Sequence, residues 1–374
     1  MLKLFLVLMI LIISPEFVLY GQTNVKIKSQ IDSIAIDSLI NESYALFRSS
    51  PPYSECIRSF KKAHRLSIKL KFWDRDIECL YMLYICHYFD NNEKLSQNYL
   101  DSAFVVGQNY ITERNDYLPI VYMAKAKNLR KNRDYIGSKN LAIQALNKFD
   151  NLFYISEGTL NNIVAENFIA LGDYASAMPY LNFPINNWSN SYYSNNSALF
   201  VYYETHYLKA RVGAHLDEDS LVFSNLSKAE EIMIHSSHPN FKNELLTLWT
   251  YGARHFIKQD NIEQCKYFLD KIDKSGYVME PIHQALYYSI LARYRSKLDI
   301  PIDSIISLCK SSIDLFNEDS SDQNNDVNKY NNLKLLGDLF LKDKNYINSI
   351  SYYESALDTL RIDWQYDVPS SIIH

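Results

Sequence analysis

Three residue pairs in this sequence have types suited to chemistry: Cys86 with His87, His235 with His238, and Asp74 with Asp76. A cysteine–histidine dyad needs both groups on one reacting atom, but adjacent helical residues point about 100° apart. His235 and His238, in IHSSHP, fall in a predicted loop without a cysteine or carboxylate pair at ligand spacing, so no metal site is expected. Asp74 and Asp76 stand before a predicted helix, where carboxylates offset the partial positive charge of the helix start. No glycine-rich phosphate loop, HExxH pair or nucleophile elbow occurs. These residues point away from catalysis, and no cofactor is expected.

The five cysteines, Cys56, Cys79, Cys86, Cys265 and Cys309, read as small buried thiols. An odd count, with predicted helices between most pairs, is a poor disulfide framework. The 30 tyrosines form another group worth weighing, since Tyr81, Tyr84 and Tyr88 recur at helical steps, as do Tyr202, Tyr203 and Tyr207. Tyr287 and Tyr288 add a further pair. The bland account of such runs is core packing.

The elements that carry these residues are read from repetition. In LKLLGDLFLKDKNYINSISYYESAL, Leu333 to Leu357, the positions Gly337, Ser349, Tyr353 and Ala356 are spaced by steps of 12, 4 and 3. Ala253, Cys265, Leu269 and Ile272 repeat those steps, as do Ala165, Ala177, Leu181 and Pro184, and Ala126, Ser138, Ala142 and Ala145. A further copy keeps only its second helix, with Tyr53, Cys56, Phe60 and Ala63. Its first-helix small site falls on Tyr44, which implies a shifted register before Pro51-Pro52. Small residues let two antiparallel helices approach closely while large ones fill the space beside the crossing. The last small sites, Ala63, Ala103, Ala145, Pro184, Ala229, Ile272, Ser312 and Ala356, lie 39 to 45 residues apart. Eight predicted hairpins follow. Two irregular stretches interrupt them, an Asn- and Ser-rich insert from Asn182 to Ser197 and a polar link from Asn317 to Lys329.

The pattern resembles the tetratricopeptide repeat family, whose helix–turn–helix units stack on copies of themselves. That resemblance implies an all-α fold, a right-handed α-solenoid of about eight hairpins over residues 23–360, curved and of about sixteen helices. Residues 361–374 are a tail and a candidate cap. In the resembled family the first helix of each unit lines a concave groove. By that analogy Tyr84, Tyr88, Tyr203 and Tyr207 are expected to meet a protein or peptide ligand there, with Trp188 and Tyr193 as a lip on the nearby loop. The family's carboxylate-binding set of Lys, Asn and Arg is not found at the matching positions, since the last copy shows Leu335 and Asp338 on the faces concerned.

Residues 1–22 read as an export signal: Lys3, an apolar run from Leu4 to Ile13, and a break at Ser14-Pro15. Cleavage after Gly21 or Gln22 would leave a periplasmic or extracellular chain with no membrane span. The rival reading is an uncut anchor, although the run is short and carries Glu16. Across 374 residues the net charge is −5 with no long basic run, so nucleic acid is not expected as a partner. Two functions fit: an exported, non-catalytic protein- or peptide-binding scaffold of bacterial type, or the sensory module of a signalling system. The chain stops before any span or kinase that would distinguish them.

Overall fold

The computed structural model describes residues 27–48, 51–110, 116–149, 152–187, 195–236, 241–298, 300–318 and 324–363. Within them run sixteen helices and no strand. They are α1 (Ile27–Arg48), α2 (Ser54–Leu70), α3 (Trp73–Phe89), α4 (Glu93–Tyr110), α5 (Tyr117–Lys131), α6 (Tyr135–Lys148), α7 (Tyr154–Ala170) and α8 (Tyr174–Asn187). After these come α9 (Asn196–His215), α10 (Asp219–His235), α11 (Phe241–Lys258), α12 (Ile262–Ser275), α13 (Pro281–Ser296), α14 (Ile302–Glu318), α15 (Asn324–Lys342) and α16 (Tyr346–Asp363). Consecutive helices pair as hairpins, and the chain is an all-α solenoid. It divides into two compact units at Val212–Gly213, inside α9.

Six hairpins share one turn. Three residues separate the helices, and the middle one takes a left-handed backbone: Asn91, Arg133, Gly172, Asp217, Asp260 and Lys344, with φ between 55° and 77°. The third residue donates its backbone N–H to the carbonyl five positions back, as Asn92 does to His87 and Asn345 does to Phe340. That bond satisfies a carbonyl which the helix end would otherwise leave unpaired. In five of the six, this residue's side chain then accepts the N–H three residues on and so caps the second helix: Asn92, Asp134, Asp173, Asn261 and Asn345. One short segment ends one helix and starts the next.

The small sites behave as spaced. Ala63, Ala103, Ala145, Pro184, Ala229, Ile272, Ser312 and Ala356 are all buried, and so are Ala126, Ala165, Ala253 and Gly337. At Gly337 a Cβ would lie 2.7 Å from the Tyr353 ring, which is the close approach a small residue permits. In the half-matched first hairpin the wholly buried small residue is Ser43, one position before Tyr44.

Second helices pack on their own first helices and on the first helix that follows, as α4 does on α3 and α5 and α14 on α13 and α15. The first helices also touch one another, α1 to α3 to α5 to α7 in the first unit and α11 to α13 to α15 in the second. Second helices therefore bury a single stripe, as α12 does with Cys265, Phe268, Leu269 and Ile272. First helices are covered on several sides: α3 buries every residue from Asp76 to His87.

Two expectations are corrected by the helix ends. The insert expected over 182–197 is helical to Asn187, with Pro179 and Pro184 inside α8, and α9 resumes at Asn196. The link expected over 317–329 is helical to Glu318 and again from Asn324. Polar composition was a weak guide there, because a helix packed along one stripe leaves its other faces open to Asn and Asp. Residues 1–26, which include the expected export signal, and 364–374 of the expected tail lie outside the described residues.

Candidate functional site

Three successive first helices of the first unit place charged side chains side by side. Lys127 and Arg130 lie three apart on α5, Asn162 and Glu166 four apart on α7, and Glu204 and Arg211 seven apart on α9, so each pair shares one helix face. Arg130 Nη1 reaches Glu166 Oε1 at 2.5 Å, and Arg211 Nη1 lies 3.7 Å from the same oxygen. Asn162 Nδ2 donates to Glu204 Oε2 at 3.2 Å and to the Val201 carbonyl at 3.1 Å. Thr205 Oγ1 donates to Asn162 Oδ1 at 2.9 Å, which fixes the amide's orientation.

The electrostatics follow from partial burial. Desolvation is the largest influence on Glu166 and raises its carboxyl above the ordinary range, although Arg130, Arg211 and Lys127 pull the other way. Lys127 is only half-covered along its length, yet desolvation of its ammonium outweighs Glu204 and Glu166 and lowers its pKa to about 8. Three cationic groups face two carboxylates, so the row carries an excess of positive charge when all are ionised. Arg130, Glu166 and Arg211 keep 36%, 17% and 29% of their side-chain surface exposed, so solvent or a ligand reaches them. The row can offer charge-assisted hydrogen bonds to an anionic group.

A second polar cluster, on α1, α3 and α5, contrasts with it. Glu78, 3% exposed, accepts the hydroxyls of Tyr44 at 2.9 Å and Tyr117 at 2.8 Å, and Arg75 Nη1 at 3.3 Å. Arg75 is held in turn by Asp37 at 2.7 Å. Glu78 and Tyr117 are buried at its centre, as in a structural network, and Arg75 and Asp37 at its edge stay 30% and 33% exposed.

The aromatic candidates divide by burial. Tyr84 is 7% and Tyr203 3% exposed, so both are packed side chains, whereas Tyr88 and Tyr207 are half-buried. Tyr203 and Tyr207 stack with rings 6.3 Å apart and nearly parallel, and Tyr84 and Tyr88 lie 6.4 Å apart. Each outer ring thus rests on an inner one. Trp188 and Tyr193 lie outside the described residues.

The other sequence candidates have structural fates. Asp76 is not an exposed end-charge but a buried group whose Oδ1 meets His64 Nδ1 at 2.6 Å. His87 is buried with its ring stacked on Tyr99. His235 closes α10 with its Nδ1 2.7 Å from the Glu231 carbonyl oxygen, and His238 lies outside the described residues. The charged row was missed because its members span 85 positions, from 127 to 211. The available signal was polar and charged residues at helical steps inside the first helices α5, α7 and α9.

No family model matches this chain, and no curated protein does. Among solved structures it is similar to a human IFIT1 dimer with PPP-AAAA, at 15% identity and a TM-score of 0.25, over 82% of this chain and 86% of that one. It is also similar to a monomeric IFIT1 mutant with m7Gppp-AAAA, at 15% identity and a TM-score of 0.26, over 88% of this chain and 93% of that one. Superposition this loose carries no helix correspondence, residue role or ligand to the present chain. One expectation is nonetheless corrected, the exclusion of nucleic acid. The structures this chain is similar to are named with PPP-AAAA and m7Gppp-AAAA. The reasoning behind the exclusion also fails, because net charge is a whole-chain sum. In a chain of net charge −5, Lys127, Arg130 and Arg211 still gather on neighbouring helices.

Proposed function

We propose that this protein is a binding scaffold without chemistry of its own, and that it holds an extended segment of a partner protein along the first helices of its N-terminal unit. The observation that carries the reading is the charged row on α5, α7 and α9, where partly exposed cations exceed carboxylates. An acidic side chain or chain terminus of the partner would complete its charge. Tyr88 and Tyr207, half-buried and each resting on a packed tyrosine, supply rigid contact area beside an extended chain. No helix among the described residues is long and apolar enough to cross a membrane. Export through residues 1–22 belongs to the same proposal, on the order of charge, apolar run and breaker. Mass spectrometry of the protein from its native host tests that part, with a mature start near Thr23 expected and an intact Met1 counting against it.

The binding reading is tested by panning a random-peptide display library on the purified protein. Enriched peptides should be acidic, and Lys127→Ala with Arg211→Ala should weaken them at least roughly tenfold while the helical circular-dichroism signal is kept. Failure to enrich any peptide, or unchanged affinity in the double variant, would overturn it. A 5′-triphosphate RNA that binds the wild type and is lost in the same variant would replace the peptide with nucleic acid.

A further inference from the structure

Cys56 and Cys86 lie thirty residues apart in sequence, yet their sulfurs stand 3.2 Å apart in the fold. Cys56 sits in the first turn of α2 and Cys86 in the last turn of α3, so the start of one helix abuts the end of the next. Their exposures are 1% and 0%. The rings of Phe47, Tyr53 and Phe89 gather within 6 Å of one another where these helix ends meet. All five cysteines are free and buried, as expected, but α2 and α3 are antiparallel neighbours, so this one pair near their opposite ends meets.

We infer that Cys56 and Cys86 form a reversible disulfide, with a low-molecular-weight disulfide as the oxidising co-substrate. Bonded sulfurs lie about 2.05 Å apart, so closure from the observed separation needs a shift of roughly 1 Å, within the reach of side-chain rotation. The two thiols are not equivalent. In the closed fold the Cys86 S–H, 3.2 Å away, holds the Cys56 pKa below the ordinary thiol value against the effect of burial, while Cys56 as a thiol donates to the Tyr53 carbonyl at 3.2 Å. The Cys86 thiol is pushed up by its bond to Cys56 and by burial.

The step balances as two exchanges. The Cys56 thiolate attacks one sulfur of the oxidant, forming a mixed disulfide and releasing one small thiolate. That thiolate takes the Cys86 proton, and the Cys86 thiolate then attacks the Cys56 sulfur and expels the second small thiolate, which takes from water the proton that Cys56 gave up on ionising. Two cysteines are oxidised by two electrons, and one small disulfide is reduced to two thiols. Because both sulfurs are enclosed, the exchange takes place during folding or on local opening of the first hairpin. The product would tie α2 to α3 and so fix the first hairpin to the second.

The test refolds the full chain in glutathione buffers of varied ratio, alkylates free thiols in denaturant, digests, and maps the cysteines by mass spectrometry. The expected result is a Cys56–Cys86 cross-link in most molecules under oxidising ratios, with Cys79, Cys265 and Cys309 alkylated. The oxidised form should melt roughly 5 °C or more above the reduced form, and dithiothreitol should reverse the gain. Cys56→Ser and Cys86→Ser, each small enough for its site, should fold and lose the redox-dependent shift. Full alkylation of Cys56 and Cys86 at every ratio would overturn the inference. So would glutathione left on Cys56 without transfer to Cys86, or cross-links that favour another pair.

Discussion

Ser349 Oγ donates a 2.9 Å hydrogen bond to the backbone carbonyl of Gly337, twelve residues earlier on the facing helix. Ser96 makes the same bond to the Tyr84 carbonyl, again across twelve residues, at 3.0 Å. The longest step of the sequence repeat is thus a physical contact, in which a small second-helix side chain sits against first-helix backbone. Ser96 is 2% exposed, so Ser96→Ala should cost about 1 kcal/mol from the lost bond. Ser96→Leu should cost about 1–3 kcal/mol more, because it forces α3 and α4 apart. Urea unfolding of the two variants beside wild type checks both the values and their order.

Lys344 has φ of +58°, in the region where a side chain crowds the backbone and glycine does not. Lys344→Gly should therefore raise stability by up to about 1 kcal/mol at this helix end. Gly172, at φ +77° in the equivalent turn, should show the reverse, with Gly172→Ala lowering stability by about 1 kcal/mol. Nothing lies within 4 Å of a Cβ built at Gly172, so backbone strain alone is measured there. Thermal melts of the pair decide it, and like signs for the two changes would contradict the shared turn.

His87 is buried, and neither ring nitrogen has a hydrogen-bond partner among the described residues. Desolvation and the nearby Lys61 on α2 lower its pKa below the ordinary 6.5, against the pull of Asp90 in the turn. Its ring stacks on Tyr99 of α4. The folded protein keeps the imidazole neutral where the unfolded chain takes a proton. This contribution is therefore complete above pH 6.5 and is lost as pH falls from there toward the lowered value. Chemical denaturation between neutral pH and about pH 5 should show that loss, and His87→Phe, which keeps a ring on Tyr99, should flatten the slope.

Tyr203 and Tyr207 are neighbours with different duties. Tyr203→Ala removes a ring that is 3% exposed and should destabilise by about 3–5 kcal/mol, the range for large aromatic truncations. Tyr207→Ala should cost markedly less and should weaken an enriched peptide instead. Melting and peptide titration on the two single variants separate packing from contact. Equal stability losses with unchanged binding would remove Tyr207 from the proposed surface.

Thiol chemistry offers a control on the small-site alignment. Burial pushes the thiols of Cys265 and Cys309 up to about 12. Both should resist iodoacetamide near pH 8 in the native protein and react once it unfolds. Rapid native labelling of Cys265 would show that its helix does not pack as described.

The sequence alone carried the hairpin plan. The recurring 12, 4 and 3 steps and the small sites they mark were legible, and those sites are buried. They are local consequences of helical periodicity and of the need for a small residue wherever two helices cross. The turns were less legible, because their left-handed position holds Asn, Arg, Gly, Asp or Lys, and backbone hydrogen bonds rather than residue type hold them there. What only the tertiary structure decided is which side chains meet across hairpins. Stacking first helix against first helix buried Tyr84 and Tyr203 beneath Tyr88 and Tyr207, although helical spacing had grouped each pair together. It also brought Cys56 to Cys86 and Arg130 to Glu166. Periodicity reports a residue's angle around its own axis, whereas the neighbour it faces depends on the register between helices, which is set by packing along their whole length.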